Sequence, residues 1–276
     1  MYFRSRKLFT LNETKNFSPD VSDADLLKDY GLEMEKFLAN GSYSKAPIYV
    51  MKYKDQRVAV KASRLIGNKI TKHAKSEMEV VKRIEHPNIV YHFAYFKSGG
   101  RIFCVMEYLP DGTLGSYIKS RPPPSTFCIR VVFYQILRAM NYLHRNLIAH
   151  RDIKDENIVM KFNMGGAPPI AKLCDFGFAI QLPHKDAEVD VFCGTRTFKA
   201  PEILHAEGSY NPFMSDTWAL GILLFKMVTR KVPAYSVETR KLTIDLGTLS
   251  KGTQTENKPI GEDRVGKTYP GVLVDA

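Results

Sequence analysis

The front of the chain alternates between apolar and polar positions, a pattern typical of half-buried β-strands. Alternation predicts strands at 48–50 and 58–60, with a turn at 54–56 between them. A further strand is predicted at 102–106. This part of the chain is therefore expected to be rich in strands.

The middle of the chain repeats its apolar positions with a helical period instead. The spacing predicts helices over 72–84 and 127–145. The stretch 218–229 is apolar nearly all round, which indicates a buried helix, although Lys226 interrupts its longest apolar run. After residue 232 the apolar periodicity fades.

These patterns divide the chain into three parts. Residues 1–24 are polar and are predicted to be loose, and 239–276 are predicted to form an irregular or disordered tail. Between them, 25–238 reads as one α+β domain with two lobes. The strand-rich front lobe covers about 25–107 and the helical back lobe about 110–238. A cleft between such lobes is the expected place for a ligand.

Composition narrows the class of protein. The 276 residues are 44% hydrophobic and 25% charged, which is typical of a globular protein, and no apolar run is long enough to span a bilayer. The net charge is +11, but basic residues do not interleave with aromatic ones, so neither nucleic acid nor membrane is an expected partner. The four cysteines form no Cys-x-x-Cys pair, which favours a reducing compartment. We expect the cytoplasm, with the nucleus as the alternative.

The strongest chemical signal is the run His150–Asn157, followed eighteen residues later by Asp175-Phe176-Gly177. Transfer of a γ-phosphoryl group needs a carboxylate that accepts the proton of the substrate hydroxyl. It also needs oxygen ligands that hold Mg²⁺ on the phosphates. Asp152 is the expected base, and Asn157 and Asp175 are the expected metal ligands. The cofactors predicted are therefore ATP and Mg²⁺.

From about residue 26 to 233 the chain resembles a eukaryotic protein kinase, since it also carries Val58-Ala59-Val60-Lys61 and Ala200-Pro201-Glu202. It is most similar to the calcium/calmodulin-kinase-like group, and within it to the testis-specific serine kinase family. Gly41-Ser42-Tyr43-Ser44-Lys45 and Phe192-Cys193-Gly194 carry that finer likeness.

The resemblance implies further roles. Lys61 would reach the α- and β-phosphates and pair with Glu77 on the following helix. Glu79 is the competing acid, but it would lie about 200° around that helix from Glu77. Lys154 would clamp the γ-phosphate, and Thr195 would seat the substrate hydroxyl. A lysine two residues after the base is the arrangement of serine/threonine kinases.

The nucleotide would lie against the front lobe and the floor of the cleft. The residues expected to contact it are Leu38, Ala39, Gly41, Ser42, Ala46, Ala59, Lys61, Glu107, Leu109 and Val159. Only Gly41 remains of the three glycines in the phosphate-covering loop, since Ala39 and Ser44 replace the others. Weakened nucleotide binding is therefore expected.

Three other residues are predicted to support this chemistry without taking part in it. His150 and Phe176 are expected to pack beneath the metal-binding turn. Asp216, at the start of the apolar helix, is expected to brace the backbone of the catalytic loop.

The back lobe is shorter than the resemblance requires. Only 43 residues follow Pro233 and they show no helical pattern, so the lobe is expected to be truncated after 218–229. Glu202 would then be a buried carboxylate without its arginine partner, at a substantial cost in stability. A protein partner that covers the exposed lobe is the expected compensation.

The segment between Gly177 and Gly194 contains no serine, threonine or tyrosine. Phosphorylation there cannot supply a countercharge to Arg151, beside the expected base. The nearby acids Asp186, Glu188 and Asp190 are one alternative source of that charge. The other interpretation is that they are solvated loop charges.

The predicted function is thus ATP- and Mg²⁺-dependent phosphorylation of serine or threonine in a protein substrate. One alternative is a pseudokinase-like binding module, which the degenerate glycines and short back lobe favour. A small-molecule kinase is another, which Thr195 and the Ala200-Pro201-Glu202 closure disfavour.

Overall fold

The computed structural model describes residues 21–243 except 42–44, 68, 121, 164, 166, 206–207 and 237. Ser42, one of the expected nucleotide contacts, lies outside the described residues, as do most of the segment 1–24 and residues 244–276.

The front lobe is a five-stranded antiparallel sheet in the order β1-β2-β3-β5-β4. Its strands are β1 Leu32–Asn40, β2 Pro47–Tyr53, β3 Gln56–Arg64, β4 His92–Ser98 and β5 Arg101–Glu107. The predicted strands at 48–50, 58–60 and 102–106 all lie within these bounds. Edge strand β1 is exposed along nearly its whole length, whereas central β3 is buried from Val58 to Ala62.

Both faces of β3 are covered, and the alternation of its side chains decides which residue points to which face. Val58 and Val60 pack on one face with Leu26 and Leu27 of helix α1, Asp23–Lys28. Lys61 therefore points to the opposite face, towards helix α2, Lys72–Val81.

Helix α1 was not predicted, because at six residues it is too short to show a periodic pattern. Ser22 caps it by accepting from the backbone N–H of Asp25, and Asp23 forms an ion pair with Arg101 at 2.7 Å. Residues 22–24, which were predicted to be loose, are thus part of the front lobe.

The back lobe is built around two long helices. Its helices are α3 Leu114–Lys119, α4 Thr126–Arg145, α5 Pro201–His205 and α6 Pro212–Thr229. Its strands form three antiparallel pairs, β6 Ile148–Ala149 with β9 Ile180–Gln181, β7 Ile158–Lys161 with β8 Ile170–Leu173, and β10 Ala234–Ser236 with β11 Lys241–Thr243. The α+β fold with two lobes is confirmed.

Helix α6 differs from its prediction in two ways. It begins at Pro212, capped by Asn211, because its first turns carry polar residues that the apolar pattern does not register. It is also not buried all round: Leu223 is fully buried, whereas Met214, Leu224 and Val228 are 64%, 38% and 52% exposed. One apolar face of α6 is therefore open in the described structure.

The predicted tail boundary falls inside a hairpin. Residues 241–243, expected to be irregular, pair with β10, so regular structure extends to Thr243. In the described part of the chain, no helix combines the length and the hydropathy needed to cross a membrane.

Candidate active site

Lys61, on β3, is paired with two carboxylates. Lys61 Nζ lies 2.8 Å from Glu77 Oε2 on α2 and 3.3 Å from Asp175 Oδ1. The competing acid Glu79 is exposed and lies 3.9 Å from Lys75. Helix geometry thus selects Glu77, as the sequence indicated.

Burial and charge act against each other in this cluster. Burial disfavours the charge on Lys61, but the carboxylates of Glu77 and Asp175 outweigh it and raise the lysine pKa above its ordinary value. Burial likewise opposes ionisation of Asp175, yet the Lys61 charge brings the pKa of that carboxyl below its ordinary value. For Glu77, burial is the larger effect and raises the pKa, with the lysine opposing the rise.

Asp152 lies at the centre of a second cluster and is 5% exposed. Its Oδ1 accepts hydrogen bonds from the backbone N–H and hydroxyl of Thr195 at 2.9 and 2.7 Å. Its Oδ2 lies 2.9 Å from Lys154 Nζ and accepts from Asn157 Nδ2 at 3.0 Å. Lys154 also donates to Thr195 Oγ1 at 2.9 Å, so the four predicted residues form one connected group.

The backbone around Asp152 is held in an uncommon conformation. Arg151 has a φ of +64°, which is unfavourable for a residue with a side chain. The carboxylate of Asp216 stabilises it by accepting from the N–H groups of His150 and Arg151 at 2.9 and 2.8 Å. At Gly194, φ is +91°, and a side chain would begin 2.6 Å from the Arg151 carbonyl oxygen. Only glycine allows the approach that places Thr195 on Asp152.

The two candidate metal ligands offer suitable atoms. Asn157 uses its Nδ2 on the backbone oxygen and carboxylate of Asp152, which leaves its amide oxygen as the atom suited to a cation. Asp175 is held at a φ of +62°, and its pKa is lowered, so it is ionised at neutral pH. Oxygen donors of these two types fit Mg²⁺, which needs few protein ligands when phosphates supply the others.

The two residues predicted to pack beneath the turn at Asp175-Phe176-Gly177 are buried there. His150 and Phe176 are both fully buried, and their rings meet edge to face at 5.0 Å. His150 Nε2 is 3.2 Å from the carbonyl oxygen of Cys174, next to Asp175. His150 Nδ1 also accepts from the backbone N–H of Asp152 at 3.3 Å, so the histidine contacts the backbone on both sides of the site and not the Asp152 carboxylate.

The expected nucleotide contacts are distributed over adjoining elements. Leu38 and Ala39 lie on exposed β1, and the Gly41 N–H donates to the Ala46 carbonyl at 2.8 Å. Ala59 is a buried residue of β3, paired with Met106.

The other residues expected to contact the nucleotide lie on the connection between the lobes and on β7 of the back lobe. Glu107 ends β5, its carboxylate binds Lys172 at 2.7 Å, and its backbone N–H donates to the Tyr91 carbonyl at 2.8 Å. Leu109 is buried, and Val159 of β7 bridges to Thr113.

The structure favours one of the two interpretations of the acids near Arg151, and it contradicts the expectation that Glu202 is buried. Arg151 does not pair with the acids of its segment: its guanidinium donates to the carbonyl oxygens of Phe178 and Val191 at 2.7 and 3.3 Å. Glu188 and Asp190 line a cavity of about 550 Å³ together with Arg151, but Glu188 accepts from the Ser209 hydroxyl and not from the arginine. Glu202 is exposed on α5, so it carries no burial cost.

The sequence reading missed a buried ion pair beside the site. Asp155, which follows Lys154, is fully buried and lies 2.5 Å from Lys226 Nζ of α6. The sequence did contain an indication of this pair, because Lys226 lies alone in an apolar helical run and a buried lysine there requires a countercharge nearby.

Comparison with known proteins defines the class. Residues 32–263 match the protein kinase domain family. Since the match covers most of the chain, this protein belongs to the protein kinase family.

Individual relatives are moderately similar. The chain is 29% identical to an Aurora kinase of Eremothecium gossypii, over 86% of this chain and 67% of the relative. It is 32% identical to human NUAK family SNF1-like kinase 1, over 73% of this chain and 30% of that protein. It is also 29% identical to mouse testis-specific serine/threonine-protein kinase 3, over 79% of this chain and 81% of the relative. The chain thus spans from under one third to about four fifths of these relatives.

Proposed function

We propose that this protein transfers the γ-phosphoryl group of ATP to serine or threonine hydroxyls of protein substrates. The observation that carries the proposal is the Asp152 carboxylate, bound at once to Thr195, Lys154 and Asn157. Such a group can hold a substrate hydroxyl, accept its proton and neutralise the transferred phosphate. The names of the relatives support the same function.

In this proposal each residue has a distinct role. Asp152 is the general base, Thr195 seats the hydroxyl, and Lys154 stabilises charge that develops on the phosphate. Lys61, fixed by Glu77, would hold the α- and β-phosphates. When bound, Mg²⁺ would neutralise phosphate charge, and Asn157 and Asp175 would hold it.

The nucleotide would lie between β1, β3 and β7. Leu38, Ala39, Ala46, Ala59, Leu109 and Val159 would contact its base and ribose, Glu107 would contribute backbone groups, and Gly41 and Ser42 would approach the phosphates. We attribute ATP binding to these residues because Leu38, Ala39, Ala59 and Val159 lie on β1, β3 and β7, and the sequence resemblance adds the others.

The finer assignments are also proposals. We place the protein in the calcium/calmodulin-kinase-like group, near the testis-specific kinases, because of the motifs quoted above and the 29% identity to a testis-specific kinase. The cytoplasm or nucleus is the proposed location, which the four free cysteines support. A protein partner would cover the exposed α6 residues Met214, Leu224 and Val228.

The test separates chemistry from binding. Asp152→Asn should lower phosphate transfer to a peptide about 10²- to 10⁴-fold, because it removes the base. It should leave stabilisation by Mg²⁺·ATP in a thermal melt nearly unchanged. Asp175→Asn should instead abolish the Mg²⁺-dependent part of that stabilisation.

The same pair of measurements also tests the binding-module alternative. A wild-type protein that is stabilised by Mg²⁺·ATP, but transfers no more phosphate than Asp152→Asn, would refute the proposed catalysis and indicate a binding module. Wild-type turnover in both variants would show that the site is misassigned.

A further inference from the structure

The buried pair Asp155–Lys226 lies beside the site but has no role in the chemistry proposed above. Asp155 directly follows Lys154 and opens the short 3-10 turn Asp155–Asn157 that carries a candidate metal ligand. Lys226 comes from α6, 71 residues further along the chain, and its Nζ is 2.5 Å from Asp155 Oδ1. The side chains are 1% and 16% exposed.

This carboxylate depends on one countercharge. Its second oxygen, Oδ2, has no hydrogen-bond partner within the described residues, although it is buried. Gly115 of α3 packs against that oxygen so closely that a Cβ there would lie 2.5 Å away. Because there is no room to turn elsewhere, loss of Lys226 would leave a buried charge unpaired, which is strongly unfavourable.

Lys226 also contacts a second segment of the site. Its Nζ lies 5.5 Å from the ring centroid of Phe198, a distance typical of a cation–π interaction. Phe198 is 5% exposed and donates its N–H to the Thr195 carbonyl at 2.9 Å. One ammonium group therefore links the catalytic loop with the segment that carries Thr195.

The turn that begins at Asp155 and the segment from Thr195 to Phe198 both contact the Asp152 carboxylate. From Asp155, the 3-10 turn leads to Asn157, whose amide donates to Asp152 at 2.8 and 3.0 Å. From Phe198, the preceding turn leads to Thr195, whose hydroxyl donates to Asp152 at 2.7 Å. A shift of either segment would misplace Asp152 against the hydroxyl that it must deprotonate.

We propose that Asp155 and Lys226 are positioning residues, and that the Lys226 ammonium sets the placement of the catalytic loop relative to the Thr195 segment. The inference rests on the proposed function. Lys226 contacts neither Asp152 nor Thr195, so it would act only through Asp155 and Phe198.

If the pair positions the catalytic loop, its removal should lower kcat even where stability is restored. A contact that only stabilises the fold would not have this effect. Buried ion pairs often add little stability over a neutral pair of the same shape, so their removal can be compensated in stability alone. Lys226→Met keeps the length of the side chain but removes its charge. The double variant Asp155→Asn/Lys226→Met also removes the stranded carboxylate and should melt near the wild-type temperature.

The experiment measures steady-state kinetics and melting temperature for the full chain. In Lys226→Met we expect kcat to fall about tenfold, equivalent to about 1.4 kcal/mol in the barrier, and KM for the peptide to rise. KM for ATP should stay within about twofold, because Lys61 and Glu77 are untouched. The double variant should regain stability but not kcat, whereas Lys226→Arg should retain most of both. Lys119→Met, at an exposed position in α3, is the matched control.

The outcomes are separable. If Lys226→Met has wild-type kcat and peptide KM, the positioning role is refuted. It is also refuted if the double variant regains kcat together with its melting temperature, since the pair would then be structural only. If wild-type protein transfers no more phosphate than Asp152→Asn, the proposed function itself fails, and the positioning role fails with it.

Discussion

Lys61 and Arg151 are two cations of the same site, and the fold satisfies them in opposite ways. Lys61 is buried and lies within 3.3 Å of two carboxylates. Arg151 is partly exposed and donates to two backbone carbonyls. A cation removed from water needs a full countercharge, whereas one that water still reaches can be held by peptide dipoles.

Because the two cations have different partners, different parts of the molecule can control them. The Lys61 cluster depends on the placement of α2, because Glu77 comes from that helix. The Arg151 contacts depend only on the path of the segment between Gly177 and Gly194. Since carbonyls already bind Arg151, we expect this arginine to need no phosphate beside it.

The largest expected effect is at the buried cation. Lys61→Met should lower phosphate transfer about 10²- to 10³-fold, because it removes a fixed charge from the phosphates. It also strands Glu77, so the melting temperature should fall. Lys75→Met, at an exposed lysine paired with Glu79 on the same helix, is the matched control and should change neither quantity. Equal effects at the two lysines would remove the distinction between buried and exposed charge.

An intermediate effect is expected on the pH dependence of folding stability, through His92 near Lys61. Burial, together with the Lys61 charge, lowers the pKa of His92 from 6.5 to about 4. Between these values the unfolded chain binds a proton that the folded one does not. Stability should therefore fall as pH drops from 6.5 to 4, by up to about 3 kcal/mol.

Denaturant melts of His92→Leu should show a flatter stability profile across that interval. His184→Gln, at an exposed histidine, should keep the wild-type slope. An unchanged slope in His92→Leu would mean that His92 is not held neutral behind the Lys61 cluster.

The smallest effect is expected at the acids near Arg151. Replacing Asp186, Glu188 and Asp190 together by their amides should change transfer by less than about twofold, because exposed charges in water contribute little. Phosphatase treatment should have no effect through the segment between Gly177 and Gly194 either, since that segment has no residue to dephosphorylate. A loss of tenfold or more in the amide variant would show that an acid does neutralise Arg151 in the working enzyme.

Much of the fold followed from the sequence because it depends on local signals. The spacing of apolar residues predicted the central strands and both long helices. It missed the start of α6, because the first turns of that helix carry polar residues. Residues close together in the chain, such as Asp152, Lys154 and Asn157, form one group because a short loop and one turn connect them.

What the sequence predicted by itself is therefore the candidate chemistry: a proposed base, a candidate metal-binding amide and carboxylate, and a lysine whose strand alternation turns it towards α2. What only the tertiary structure decided is which distant groups meet. The α1 helix covers the outer face of the sheet, Arg151 binds carbonyls instead of acids, and Asp155 meets Lys226 across 71 residues. Local patterns encode period and turns, but such partners depend on how whole elements pack, and no short stretch of sequence contains that information.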